Sequence, residues 1–159
     1  AQFDWRLSIA TVVEDGDFSD FSGVERNLIL IEGNALHLHH QLAGIETKDN
    51  LDKKLSFATF DGASKTLGHL PAGPIKDFNL MHNPSKFDAR VQTHLTTNSV
   101  VLSESEISFV YALGSNIDYV AKGKRETLEK GQLLKIQTLM DGDVTLSGSE
   151  MIVICLDEK

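Results

Sequence analysis

Alternation of apolar and polar residues with a period of two is the feature that most constrains this chain. Trp5, Leu7 and Ile9 alternate with polar residues, so one face of this segment is apolar. Its polar face carries Arg6 and Ser8. Similar short runs recur, separated by Gly, Asn and Asp turn residues, at intervals of roughly 8–12 residues. No segment has a strong helical period, and the pattern predicts an all-β sandwich or barrel.

The predicted strands extend over the whole chain, with one short helical turn expected at residues 83–87. After the first strand they cover residues 27–31, 35–39, 54–59, 65–69, 77–81, 90–95, 100–102, 107–113, 117–121, 132–137, 143–146 and 151–156. No internal repeat is visible in the sequence. A chain of 159 residues suits one domain or two tightly fused halves, and it can bury enough surface to fold without a disulfide or a metal.

Charge and composition exclude several classes of function. Fifteen Lys and Arg stand against 23 Asp and Glu, a net charge of -8. This balance argues against binding to nucleic acid or to an anionic membrane surface, both of which need basic patches. No apolar run approaches the ~20 residues of a membrane span, and the first residues do not read as a signal peptide. We therefore expect a cytoplasmic protein.

A loop with two phenylalanines is the first candidate for function. Phe18 and Phe21 lie three residues apart in a segment rich in Ser, Asp and Gly, and Arg26 opens the following strand. An arginine at the end of a barrel strand can bind a carboxylate through two parallel hydrogen bonds. The alternative is a surface loop whose phenylalanines plug the barrel end, with Arg26 paired to Asp17 or Asp20.

Two polar residues on one predicted strand form the second candidate. Asp77 and Asn79 are two positions apart, so their side chains point to the same face, and Phe78 and Leu80 point to the other. Polar groups that face a barrel interior need a protein partner or a ligand. The alternative is a structural hydrogen-bonded pair that fixes a neighbouring loop.

Several motifs occur together in a fixed order. They are FDWRLSIA at 3–10, GDFS at 16–19, FSGVER at 21–26, LIEG at 30–33, FDG at 60–62 and GPIKDFNLM at 73–81. Over residues 3–92 they resemble the HutD/Ves family of bacterial proteins. The resemblance implies a cupin-like fold, a β-barrel or jelly roll present as two fused halves (a bicupin), and we place these halves at residues 1–95 and 96–159.

The resemblance also implies a function. Members of the family look like small-molecule binders that regulate histidine utilisation, with formylglutamate or a related carboxylate as ligand. No catalytic activity and no cofactor come with the family. Its members carry a Trp-Lys-Asn-Gly-Gly segment before the first strand, which is expected to line the pocket, and this sequence begins after that segment.

Our leading hypothesis is a non-enzymatic binding protein for a small polar carboxylate. Arg26 would hold the carboxylate, with Arg6 and Ser8 in support. Asp77 and Asn79 would bind an amide or amino group, and the two loop phenylalanines would close the entrance. The predicted ligand-binding set is therefore Arg6, Ser8, Phe18, Phe21, Arg26, Asp77 and Asn79.

Two alternatives belong to other classes of protein. The first is a metal-dependent cupin enzyme that uses His37, His39 and Glu46, because imidazole and carboxylate suit Zn, Fe, Ni or Mn. Against it, Leu36 and Leu38 are expected to take the inward face, which turns both histidines outward as exposed or cross-strand residues. The second is an interaction module in which the acidic barrel docks onto another protein. An exposed sheet edge is the expected docking surface, and pairing through it would give a homodimer.

Overall fold

A computed structural model describes residues 3–102, 105–137 and 142–159 of the chain. Within these ranges the regular elements are sixteen β-strands, and the strand pairs are antiparallel. The described residues include no helix of the length and apolar character that a membrane crossing requires. The all-β fold class predicted from the alternation is confirmed. The chain divides into two compact units, residues 1–86 and residues 87–159.

The first unit contains eight strands in two four-stranded sheets. The strands are β1 (Trp5–Val12), β2 (Gly16–Asp17), β3 (Glu25–Glu32), β4 (Leu36–Leu42), β5 (Ile45–Leu51), β6 (Phe57–Asp61), β7 (Lys65–His69) and β8 (Ile75–His82). One sheet has the order β1-β8-β3-β6, and the other has the order β2-β7-β4-β5. Most strands that are adjacent in these sheets come from distant parts of the sequence, whereas β4 and β5 are consecutive and form a hairpin.

The second unit is built in the same way. Its strands are β9 (Phe87–His94), β10 (Asn98–Leu102), β11 (Ile107–Ala112), β12 (Ile117–Ala121), β13 (Lys124–Leu128), β14 (Leu133–Ile136), β15 (Val144–Gly148) and β16 (Met151–Glu158). The sheets have the orders β14-β11-β16-β9 and β10-β15-β12-β13. Adding eight to each strand number of the first unit reproduces these pairings, so each unit is an eight-stranded jelly roll of the same topology.

The structure differs from the sequence prediction in several segments. Strand β9, expected in the first half of the chain, pairs along its length with β16 of the second unit. Strands β5 and β13 lie outside the predicted strands because their residues are mostly polar and exposed. Residues 83–86 form a turn instead of a helical turn, in which Lys86 N donates to Asn83 O and Ser85 N donates to Asn83 Oδ1.

Each unit has its own apolar core, formed by the alternate residues that point between its sheets. In the first unit the buried core residues are Leu28, Leu30, Leu36, Leu38, Leu51, Ala58, Phe60 and Ile75. In the second unit they are Leu102, Val110, Ala112, Ile117, Leu128, Ile136, Val144, Leu146, Met151 and Val153. Each fully buried Leu or Ile stabilises the fold by about 1.5–3 kcal/mol relative to an exposed one.

Residues 18–24, here called the aromatic loop, are fixed to the first unit by backbone hydrogen bonds. Phe18 N donates to Thr66 O at 2.8 Å, and Phe21 N donates to Gly62 O at 2.8 Å. Gly62 N in turn donates to Val24 O at 2.7 Å. The loop is therefore held along its length against β7 and the connection that precedes it.

Gly62 is required by this close approach, and we expect Gly62→Ala to destabilise the first unit. A Cβ atom at position 62 would lie 2.3 Å from Phe21 O and 2.7 Å from Val24 O, so the loop backbone would have to move. Such overpacking costs about 1–3 kcal/mol of unfolding free energy. Urea unfolding followed by the fluorescence of Trp5, the only tryptophan, measures this change.

Gly16→Ala is the matched control, because a Cβ atom at position 16 meets no atom within 4 Å. Its unfolding free energy should stay within about 0.5 kcal/mol of the wild-type value. Equal stability of the two variants would contradict the prediction.

Candidate functional site

Three buried polar residues of the first unit lie on the inward face of the sheet β1-β8-β3-β6. Across β3 and β8, Arg26 is opposite Met81, Leu28 is opposite Asn79, and Leu30 is opposite Asp77. Residues directly opposite one another in an antiparallel pair project to the same face. The arginine, the amide and the carboxyl group therefore share a face with two core leucines, and all three side chains are buried.

Arg26 is the buried cation on this face, with only 4% of the residue exposed. Its Nη1 donates to Ser19 O of the aromatic loop at 3.1 Å, and its Nη2 donates to Asn79 Oδ1 at 3.3 Å. Its Nε is buried and has no hydrogen-bond partner among the described residues. The guanidinium group thus keeps at least one unused donor.

Three aromatic rings surround the Arg26 guanidinium. Its Cζ lies 5.5 Å from the ring centroid of Phe18, 5.4 Å from that of Phe21 and 5.3 Å from that of Phe60. These distances are within the range of cation–π attraction. Gly68 makes room for the first ring, since a Cβ atom there would lie 2.6 Å from a ring carbon of Phe18. The rings stabilise the cation and exclude water from it.

Asp77 and Asn79 continue the hydrogen-bond chain from Arg26. Asn79 Nδ2 donates to Asp77 Oδ1, while Asp77 Oδ2 is buried and has no partner among the described residues. Burial raises the pKa of Asp77 to about 6, although the hydrogen bond from Asn79 and the charge of Arg26 act to lower it. Burial likewise lowers the pKa of Arg26, and the charge of Asp77 raises it. The site therefore combines an unused donor with an unused acceptor.

The structure brings most of the predicted set together, with one exception. Phe18, Phe21, Arg26, Asp77 and Asn79 form a contiguous group through the contacts above.

The two predicted residues of β1 lie at the edge of the sheet. Ser8 is opposite Asn79 and half-buried, which places it beside the group. Arg6 is opposite Met81 and exposed, so its Cα is two strand spacings, about 10 Å, from that of Arg26.

The structure contradicts one structural alternative proposed from the sequence and agrees in part with another. Arg26 bonds to the Ser19 carbonyl and to Asn79, not to Asp17 or Asp20, so the predicted ion pair within the loop is wrong. Asp77 and Asn79 do bond to one another, as the structural alternative proposed. That bond leaves Asp77 Oδ2 unused and so does not account for the whole carboxylate.

Sequence reasoning missed two buried residues next to Arg26. Phe60 supplies the third ring, and His40 packs on Phe60 with the ring centroids 4.4 Å apart. His40 Nδ1 lies 2.8 Å from Thr66 Oγ1, and its Nε2 lies 3.1 Å from Asp49 Oδ2. Burial lowers the pKa of His40, and Asp49 acts to raise it. The signal was present, because His40 follows the two inward leucines of β4 at the same period of two.

The histidines considered for a metal lie on the outward face of β4, as predicted. The side chains of His37 and His39 are 34% and 41% exposed. His39 Nε2 lies 3.5 Å from Glu46 Oε2, whereas His37 Nε2 lies 2.7 Å from Asp52 Oδ1. In the described ranges, no three or more His, Cys, Asp or Glu side chains are already placed to hold a metal ion. The three residues first considered are therefore divided between two pairs.

Comparison with a solved barrel supports the fold. A cupin 2 conserved barrel domain protein from Leptotrichia buccalis superimposes with a TM-score of 0.60 at 11% identity, over 99% of this chain and 86% of that one. At this identity only the fold is shared. The chain has a cupin-like fold of two jelly-roll units, the first of which contains a buried arginine site.

More similar proteins then identify the family. HutD from Pseudomonas fluorescens SBW25, solved in a formate condition, matches with a TM-score of 0.81 at 28% identity, over 99% of this chain and 80% of that one. The sequence matches the HutD family over residues 1–154, and the chain belongs to that family.

A sequence relative adds a genetic context. It is an uncharacterized 21.2 kDa protein of the hutC 3' region in Pseudomonas putida, and it is 33% identical over 122 residues. That match covers 77% of this chain and 62% of the relative, so the chain spans less than two thirds of the relative's length.

The raised pKa of Asp77 predicts a pH-dependent contribution to stability. A carboxyl group whose pKa rises on folding stabilises the fold fully below its unfolded pKa, near 4, and this contribution is lost as the pH rises through about 6. The unfolding free energy of the wild type minus that of Asp77→Asn should therefore fall by up to about 3 kcal/mol between pH 4 and pH 7. Urea unfolding followed by Trp5 fluorescence at several pH values measures it.

Ser8→Ala serves as a control, since it alters a neighbour of Asn79 without adding or removing a titratable group. Its stability difference from the wild type should be the same at each pH. A constant difference between the wild type and Asp77→Asn over this pH range would contradict the prediction.

Proposed function

We propose that this chain is a non-enzymatic binding protein for a small carboxylate, with a role linked to histidine utilisation. Membership of the HutD family and the hutC-region relative support the link to histidine utilisation. The observation that carries the proposal of a carboxylate ligand is the buried guanidinium of Arg26, held in an aromatic cage with its Nε unused.

Arg26 has the geometry and the environment to bind a carboxylate. A guanidinium group presents donors in a planar fork that matches the two oxygens of a carboxylate. The surrounding rings keep water away, which strengthens a charge-assisted hydrogen bond. Exposed Arg6 lacks this shielding, so a carboxylate gains more from binding to Arg26 than to Arg6.

Asp77 and Asn79 suit a second group on the same ligand. Asp77 Oδ2 is a buried acceptor without a partner, and a buried polar atom left unpaired costs about 1–3 kcal/mol. An N–H group on the ligand would supply the missing donor. Formylglutamate carries two carboxylates and an amide N–H. A ligand of this kind would therefore satisfy the unused donor of Arg26 and the unused acceptor of Asp77 together.

The aromatic loop would close the site. Arg26 is almost fully buried, so a ligand reaches it only if Phe18 or Phe21, both half-buried, moves aside. One bond that holds the loop, from Arg26 to Ser19 O, uses the same guanidinium group. A carboxylate that takes this donor competes with the loop for it, so ligand entry and loop movement are linked.

Calorimetric titration of formylglutamate, histidine and urocanate into the wild type, Arg26→Ala and Arg26→Lys tests the proposal. We expect formylglutamate to bind the wild type and Arg26→Ala to weaken binding by at least tenfold, because a charge-assisted hydrogen bond contributes about 1.5–3 kcal/mol. Arg26→Lys keeps the charge and loses the fork, so it should bind with intermediate affinity.

Arg125→Ala is the matched control, because Arg125 is exposed on β13 of the second unit. It should bind as the wild type does. Unchanged affinity in both Arg26 variants, with Trp5 fluorescence showing that they are folded, would remove Arg26 from the site. Absence of binding of all three ligands to the wild type would overturn the choice of ligand class.

A further inference from the structure

Three histidines on the outward face of the sheet β2-β7-β4-β5 form a second cluster, separate from the Arg26 site. His37 and His39 lie on β4, and His69 lies on β7. We propose that this cluster, here called the histidine face, binds a divalent transition-metal ion such as Zn²⁺. The inference does not depend on the carboxylate ligand proposed above.

Strand register brings the three imidazoles to one place. His37 and His69 are directly opposite each other in the antiparallel pair of β4 and β7, with their ring centroids 6.2 Å apart. His39 is two residues further along β4, so its side chain projects from the same face. It lies roughly 7 Å from His37 along the strand and roughly 7–8 Å diagonally from His69.

Two histidines of the face have one ring nitrogen bonded to a carboxylate. The pairs are His37 Nε2 with Asp52 Oδ1 at 2.7 Å and His69 Nδ1 with Asp15 Oδ2 at 2.7 Å. Histidine ligands of metals commonly donate their second ring N–H to a carboxylate in this way. In these two pairs the carboxylate fixes the tautomer and leaves the lone pair of the other ring nitrogen free for a metal. His39 Nε2 lies 3.5 Å from Glu46 Oε2 and is buried without a hydrogen-bond partner among the described residues.

The carboxylate of Asp15 is itself held in place by the backbone. Asp15 Oδ1 accepts a hydrogen bond from Leu70 N at 2.8 Å, while Oδ2 takes the His69 ring. Both hydrogen bonds favour the ionised form, and they lower the pKa of Asp15. The orientation of the His69 ring is thus set by a bond that crosses from the β1–β2 connection to the end of β7.

The histidine face has room for an ion with its water ligands. His37, His39 and His69 line one surface depression of about 350 Å³, together with Lys48, Asn50 and Leu67.

The charges around the depression favour a cation. The Lys48 ammonium opposes a cation there, but its long side chain can turn toward water. Three carboxylates, one behind each histidine, outnumber this charge.

Metal binding requires small rotations of the histidine rings. Two imidazoles bound to one tetrahedral Zn²⁺, with Zn–N bonds of about 2.0 Å, have centroids roughly 5 Å apart. The observed 6.2 Å between His37 and His69 is longer, consistent with the absence of a formed three-ligand group in the described ranges. The side chains of His37, His39 and His69 are 34%, 41% and 56% exposed, so there is space at the surface for this adjustment.

The donor set indicates the class of metal. Imidazole nitrogens suit Zn²⁺, Cu²⁺ and Ni²⁺, whereas Mg²⁺ and Ca²⁺ prefer oxygen. The sequence suggested Glu46 as a ligand beside His37 and His39. The structure instead places Glu46 3.5 Å from His39 Nε2, without a hydrogen bond, and supplies His69, from another strand, as the third imidazole.

Calorimetric titration of Zn²⁺ alone into the full chain at pH 7.5, in a buffer that does not bind metals, tests the inference. We expect one equivalent to bind, and His37→Ala and His69→Ala each to weaken binding by at least tenfold. Asp15→Asn should weaken it less, because it removes an orienting partner and keeps the ligand.

Two controls separate this site from general binding by surface histidines and from the Arg26 site. His94→Ala removes a histidine of the second unit, whose Nδ1 bonds to Asn98, and should bind Zn²⁺ as the wild type does. Arg26→Ala should also bind Zn²⁺ normally. Equal binding by the wild type and His69→Ala, or no stoichiometric binding by the wild type, would overturn the inference.

Discussion

The burial of a positive charge inside an apolar barrel is the constraint on which the organisation of the first unit depends. A guanidinium group taken out of water costs several kcal/mol unless partners replace the lost hydration. Around Arg26 that replacement comes from a loop carbonyl, an amide, a carboxyl group and three ring faces. One carbonyl oxygen of the aromatic loop accepts a hydrogen bond from this guanidinium group, and this bond helps to hold the loop against the barrel. The position of the loop and the compensation of the buried charge therefore depend on each other.

Local periodicity predicted those features that depend on near neighbours in the sequence. Alternation placed Leu36 and Leu38 inward, and it placed Asp77 and Asn79 on a common face; each placement follows from a two-residue repeat. Strand β5 was not predicted, because most of its residues are exposed and polar and it shows no clear apolar face in the sequence. A strand that is stabilised mainly by backbone hydrogen bonds to its neighbours lacks the apolar pattern by which a strand is recognised in a sequence.

Which residues meet in the site depends on how the strands pair. The alternation in the sequence carries no information about that pairing. Phe60 meets Arg26 because β6 pairs with β3, across 34 residues of chain. The two-residue repeat of β1 placed Arg6 on the same face of the sheet as Arg26. Because β1 lies at the edge of the sheet, Arg6 is nevertheless exposed. The grouping of Arg26 with Asp77 and Asn79 came from the ordered motifs of the family resemblance. Long-range pairing is set by the whole fold, so short motifs predict members of a site better than its boundaries.

The two units repeat one jelly-roll topology around different interiors. Strands β11 and β16 occupy the places that β3 and β8 hold in the first unit, and their inward pairs are Val110 with Val153 and Ala112 with Met151. One scaffold therefore carries two kinds of interior, apolar packing in the second unit and ionisable groups in the first. The jelly-roll topology does not depend on the buried charge, because the second unit forms it without an arginine at the corresponding pairs.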